Sequence, residues 1–114
     1  MNLYINLYIF SLNYQTQEYY LLLTKDGVPS LQIETNNIKN DLYTLINNTF
    51  GTNNDWAKFQ LFDVMSYEQD LVIVYSCLMP IFLKTQIGKW ESVRKIKDEN
   101  TKQFVLQILQ KTIC

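Results

Sequence analysis

A mixed α/β (α+β) domain, one mixed β-sheet with helices on both faces, is the fold class that this sequence predicts. Three observations carry it. Residues 2–12 alternate at the period of a strand, with Leu3, Ile5, Leu7 and Ile9 on one face and Asn2, Tyr4, Asn6 and Tyr8 on the other. Residues 71–79, LVIVYSCLM, are apolar on both faces, as in a central strand covered on two sides. Two further stretches repeat apolar residues at the helical period: Ile38, Leu42, Leu45, Ile46 and Phe50, and then Phe104, Val105, Ile108 and Leu109.

The elements follow in chain order. After the first strand, NYQTQ at 13–17 is a polar turn, and EYYLLLTK at 18–25 is a second strand close enough to pair antiparallel with the first. Asp26-Gly27 signals the next turn. Between Val28 and Thr52 lie a Pro-bounded loop, a short strand, a cap, the first helix and a closing glycine. Asn36 and Asn37 both suit an N-cap, and Gly51 stands where a helix takes a left-handed residue past its end. GTNND at 51–55 is a loop, and residues 56–66, with Trp56, Phe59, Leu61, Phe62, Val64 and Met65, form a strand. Ser66 to Asp70 turns the chain into the central strand, whose pairing Pro80 should end. Within residues 81–93, Gly88 and Trp90 suggest a loop and then a short strand. The last helix is expected over about 101–112, with Asn100 as its cap and Gln103 reaching back as in a capping box. The order is β-β-(β)-α-β-β-(β)-α.

A chain of 114 residues without repeats or linkers reads as a single domain over 1–114, long enough to bury a core. Its 47% apolar and 14% aromatic content fits a packed globule. The formal charge of −1 supplies no field to recruit nucleic acid or an anionic membrane, and the cations toward the C-terminal half are interrupted by Asp98 and Glu99. A solvated face is therefore favoured over a nucleic-acid patch. Cys77 reads as a buried small hydrophobe and Cys114 as a free thiol, so a reducing compartment is the default. The N-terminus has neither a basic region nor a membrane-spanning run. One alanine (Ala57) and one arginine (Arg94), against abundant Asn, Ile, Leu, Tyr and Lys, suit an AT-rich genome, as in phages, some organelles and some protists. The expected setting is intracellular and soluble.

With YYLLLTKDG, Pro29, Ile33-Glu34, an amphipathic helix and Gly51 in this order, and with Trp90 and QFVLQILQ closing the chain, the sequence resembles the Nudix hydrolase fold over nearly its whole length. That family carries the box G-x5-E-x7-R-E-U-x-E-E-x-G-U, whose helical glutamates hold divalent cations against a diphosphate. Anchored on Gly51, the box's first glycine falls on Ser30 and its first glutamate on Asn36. Its arginine falls on Thr44, the next glutamate on Leu45, and the Glu-Glu pair on Asn48 and Thr49. Shifting the loop to align Pro29 moves the first glutamate to Asn37, and no acid is recovered. Magnesium takes oxygen ligands and normally at least one carboxylate, so the resemblance implies a Nudix-like domain that has lost its catalytic residues. Glu34, Asp41, Asp63, Glu68 and Asp70 are the acids that could substitute, with Asp41 one turn before Leu45.

Other chemistries are sparse. Without histidine, Ser-His and Cys-His catalysis and imidazole metal sites are excluded. No Cys-x-x-Cys pair exists for structural zinc, and Gly27, Gly51 and Gly88 lie too far apart for a phosphate-cradling loop. Tyr4 and Tyr8 could stack a base, although such residues more often cover a sheet or enter a protein interface. No catalytic, cofactor or metal residues are assigned and no cofactor is expected. The expected role is a structural or protein-binding subunit of a larger assembly. The alternatives are a domain sensing a nucleoside diphosphate compound without hydrolysing it, or a weak pyrophosphohydrolase using Glu34 and Asp41. A profilin- or longin-like fold is the structural alternative, and it predicts both helices on one side of the sheet.

Overall fold

Strand β1, Leu3–Asn13, is the axis of the molecule. In the computed structural model, which describes residues 2–34, 36–51, 59–79 and 84–114, it is hydrogen-bonded along both edges. One edge runs parallel to β5, Asp70–Met79, from Leu3↔Leu71 to Ser11↔Met79. The other edge is shared by two short antiparallel strands. Strand β2, Glu18–Leu23, pairs with Phe10 to Asn13, and β3, Ser30–Gln32, pairs with Tyr4 to Asn6. Between them the Leu7 N–H donates to the carbonyl of Pro29 at 2.9 Å, so the edge stays satisfied where neither strand reaches. Strand β4, Gln60–Tyr67, pairs with β5, and β6, Lys89–Ser92, pairs with β2, giving the order β4-β5-β1-β2-β6.

The alternation along β1 distributes two cores. Ile5, Leu7 and Ile9 meet Leu45, Ile46 and Phe50 of α1, Ile38–Phe50. On the opposite face Phe10 and Tyr8 meet Val105, Ile108 and Leu109 of α2, Glu99–Ile113. The helices therefore cover opposite faces, which removes the profilin- or longin-like alternative. Strand β5 serves both cores, with Cys77 on the α1 side and Val74 on the α2 side. Thr112 of α2 donates to the Ser76 hydroxyl at 2.8 Å.

Several expected boundaries are corrected. The cap of α1 is Asn37, whose Oδ1 accepts from the Lys39 and Asn40 N–H groups, while Asn36 lies outside the helix. Gly51 closes α1 with φ 80°, and its N–H donates to the Asn47 carbonyl at 2.7 Å. Helix α2 begins earlier than the apolar period suggests. Asp98, not Asn100, is its cap, accepting from the Thr101 N–H at 3.0 Å, and Gln103 donates to Glu99 instead of reaching back to a cap. A carboxylate outcompetes an amide there because it accepts from both the Thr101 N–H and hydroxyl. Strand β2 stops at Leu23 because Thr24 and Gly27 close a tight turn on each other. Strand β4 continues through Tyr67, leaving only Glu68-Gln69 to turn, with Glu68 at φ 56°. A short 3₁₀ turn, η1 (Val93–Lys95), follows β6. Trp56, most of the 51–55 loop, and Pro80 lie outside the described residues.

Candidate functional site

The surface that the resemblance singles out is α1 and the loop before it. Residues 41, 45 and 49 lie four apart on the helix and so share one stripe. All three are buried: Asp41 is 6% exposed, Leu45 2% and Thr49 0%. Leu45 is held among Ile5, Leu7, Ile46 and Phe50, so the apolar arc is sealed by the chain itself. The Thr49 hydroxyl is engaged, donating to the Leu45 carbonyl at 2.7 Å. Asn36, Thr44 and Asn48 are exposed.

The C-terminal end of α1 is closed by the segment before β6. The Gln86 N–H donates to the Thr49 carbonyl at 2.8 Å. Its side-chain amide lies so close to Gly51 that a Cβ there would clash with Nε2.

This donor set does not fit a divalent cation. A Mg²⁺ site needs convergent oxygens carrying negative charge, whereas here one position is a buried aliphatic, one a hydroxyl spent on its own helix and one an exposed amide. The acids that could substitute do not converge either. Glu34 is exposed in the loop, and Asp41 is buried one turn before Leu45 with an interaction of its own. Asp63 accepts from the Val64 N–H at 2.8 Å, Asp70 accepts from the Asn2 N–H at 3.3 Å, and Glu68 occupies a turn. Among the described residues no three Asp, Glu, His or Cys side chains form a metal-binding group.

The aromatic candidates separate in the same way. Tyr8 is covered by α2, with its ring edge-on to Phe104 at 5.7 Å, and burial pushes its hydroxyl pKa up. It is not free to stack a base. Tyr4 is half-buried, and Trp90 packs against the α1 core. Among the described residues the exposed aromatics are instead Tyr14 in the first turn, Tyr43 on the outer side of α1 and Tyr67 at the end of β4.

The surface that sequence reasoning missed is the outer strand β4. Leu61 is 57% exposed, Val64 51% and Tyr67 71%. Leu61 and Val64 pair with Tyr75 and Ile73, so both point to the α1 side of the sheet, beyond the helix. A register shift between Leu61 and Asp63 bends the strand, and Asp63 is its only charged residue. Outer strands normally carry lysines or prolines that discourage pairing, and this one has neither. Among the described residues no helix is long and apolar enough to cross a membrane.

No family model matches the chain, and no curated protein matches it significantly. Solved structures do. The chain is similar to the NUDIX domain of Shewanella oneidensis NrtR complexed with ADP ribose, with 12% identity and a TM-score of 0.65 over 96% of this chain and 86% of that one. It is also similar to the C-terminal domain of mouse MUTYH in complex with human PCNA, with 14% identity and a TM-score of 0.63 over 97% and 88%. A MutT/nudix family protein from Enterococcus faecalis matches at 11% identity and a TM-score of 0.62, over 80% of this chain and 43% of that one. At these identities the likeness concerns the fold, and the fold is Nudix-like.

Proposed function

We propose that this Nudix-like fold serves as a non-catalytic, protein-binding module, a structural subunit of a larger assembly. The observation that carries this reading is the outer strand β4, which presents Leu61, Val64 and Tyr67 to solvent with one charge among eight residues. A strand of this kind adds a partner's strand through main-chain hydrogen bonds, with its side chains supplying the selectivity. The helix supports the non-catalytic half of the reading, since Leu45 and Thr49 are built into the core where metal-binding carboxylates would stand. The mouse MUTYH domain, solved in complex with PCNA, lends the partnering role a structural parallel.

The test is comparative. Affinity capture with the wild-type chain is set against a Leu61→Lys, Val64→Lys double variant of unchanged thermal midpoint. Proteins recovered by the first and lost by the second support the reading; equal recovery by both overturns it.

A nucleotide-sensing role is the second reading, favoured by the similarity to a domain complexed with ADP ribose. It predicts a thermal shift with nucleoside diphosphate compounds that persists without Mg²⁺. A ligand at a hundred times its dissociation constant adds about 2.7 kcal/mol, several degrees for a domain of this size. A weak hydrolase using Glu34 and Asp41 would instead require Mg²⁺-dependent turnover abolished by Asp41→Asn.

A further inference from the structure

The open edge of β4 has a chemistry that selects the strand it would accept. Its side chains divide between the two faces of the sheet. Leu61 and Val64 point to the α1 side. Asp63 and Met65 pair with Val74 and Val72, which pack in the α2 core, and Tyr67 follows them at the period of a strand. One face of the edge is therefore apolar, while the other carries a carboxylate and an open aromatic ring. Glu68 extends that end of the strand as an exposed turn residue.

The α2 face lacks positive charge of its own. Neither Asp63 nor Glu68 is in an ion pair among the described residues. Lys111 of α2 is engaged elsewhere, with its ammonium 5.4 Å from the centroid of the Phe62 ring. Tyr67 is 71% exposed, and the face of such a ring attracts a cation. Asp63 also folds back on its own strand, where its carboxylate accepts from the Val64 N–H at 2.8 Å. The N–H groups of alternate residues face opposite edges of a strand, and one held by a side chain in place of a ladder carbonyl faces the open edge. That main-chain donor is occupied until something draws the carboxylate away. A cation on an incoming strand does so, and it frees the Val64 N–H for the new ladder in the same step.

We infer that the strand added at β4 is a basic one: an extended partner segment in which Lys or Arg alternates with β-branched apolar residues. The inference rests on the docking role proposed above for β4 and names the chemistry of its partner. The basic residues would lie on the α2 side against Asp63 and Tyr67, and the apolar ones on the α1 side against Leu61 and Val64. A second copy of this chain does not meet that description. Its own β4 contains neither Lys nor Arg, and pairing two such strands would bring two Asp63 carboxylates to one edge.

The experiment is fluorescence anisotropy of labelled eight-residue peptides, the length of β4, titrated with the full chain. Lys-Val, Gln-Val and Glu-Val repeats are compared at low and high salt. The Lys-Val peptide should bind about tenfold more tightly than the Gln-Val peptide, and this preference should shrink in high salt. The Glu-Val peptide should bind more weakly than either. Amide NMR shifts should be confined to residues 60–67 and their partners on β5. Asp63→Ala, with its thermal midpoint unchanged, should bring the first two affinities together, since it removes the ion pair and releases the Val64 N–H to any strand. A Lys-Val preference that survives Asp63→Ala, or shifts lying outside these strands, would overturn the inference. Equal binding of the Lys-Val and Gln-Val peptides at residues 60–67 of the wild-type chain would overturn it too, while leaving β4 as a docking edge. Failure of all three peptides to bind there would overturn the docking role along with it.

Discussion

Thr49 donates its hydroxyl to the carbonyl of Leu45 at 2.7 Å, one turn back along α1. Two residues that the sequence resemblance aligns with a Nudix box's glutamates are therefore joined to each other and to the core. Restoring a carboxylate there should be structurally expensive. Leu45→Glu replaces a side chain 2% exposed with a buried charge lacking a partner, for a loss of about 4 kcal/mol in urea unfolding. Asn48→Glu, at an exposed position near the helix end, should cost less than about 1 kcal/mol. Comparable losses for the two would show that the Leu45 pocket tolerates charge.

The two helix caps differ chemically, and their pH responses should differ too. Hydrogen bonds from the Thr101 side chain and then the Thr101 backbone hold the Asp98 carboxyl below its ordinary pKa of 3.8. A carboxylate with a depressed folded-state pKa contributes stability that is fully present above its unfolded pKa and is lost as pH falls through the folded value. Stability should thus decline below the ordinary value near 3.8, and Asp98→Asn should flatten that part of the acid limb. Asn37, a neutral cap, should give no such limb; Asn37→Ala should cost about 1 kcal/mol at every pH measured. Unfolding at a series of pH values separates the two.

The cysteines should report burial directly. Cys77 is 2% exposed, and desolvation pushes its pKa up to about 12, while Cys114 is exposed. Thiolate is the reactive form, so native protein at pH 8 should label rapidly at one thiol, and at two only in denaturant. Rapid labelling of both under native conditions would mean that the α1 core opens.

Gly88→Ala should be the most damaging of the small substitutions in the connections. Its φ of 80° and the 2.7 Å approach to the Leu23 carbonyl leave no unstrained place for a Cβ. A cost of about 2 kcal/mol in denaturant unfolding is expected. Gly51→Ala meets the flexible end of Gln86 instead of backbone, so it should cost less.

What the sequence revealed followed the range of each interaction. The alternation of β1, the Asn37 cap and the Gly51 closure are local, and each was readable from its own few residues. That both faces of the sheet are covered was readable as well, because residues 71–79 are apolar on both sides. Long-range pairing was not. Nothing near β1 announces that β5 pairs parallel with it or that β2 and β3 divide its other edge. Nor could composition show that Leu61 and Val64, apolar like their neighbours, lie on an outer strand.

The division of β1's edge has a consequence for how the chain acquires its shape. Strands β2 and β3 can dock on β1 early, because the loops that bring them there are short. The parallel partner is the late arrival, since Leu3 must wait for Leu71 and Ser11 for Met79. Closing so long a loop before any contact rewards it is slow, and until then the other edge of the longest strand stands open. During synthesis a ribosome that has released only the first helix carries a half-built sheet whose bare edge is available to any passing strand. Folding of this domain is thus timed by the emergence of β5, and a chaperone's protection would matter most in that interval.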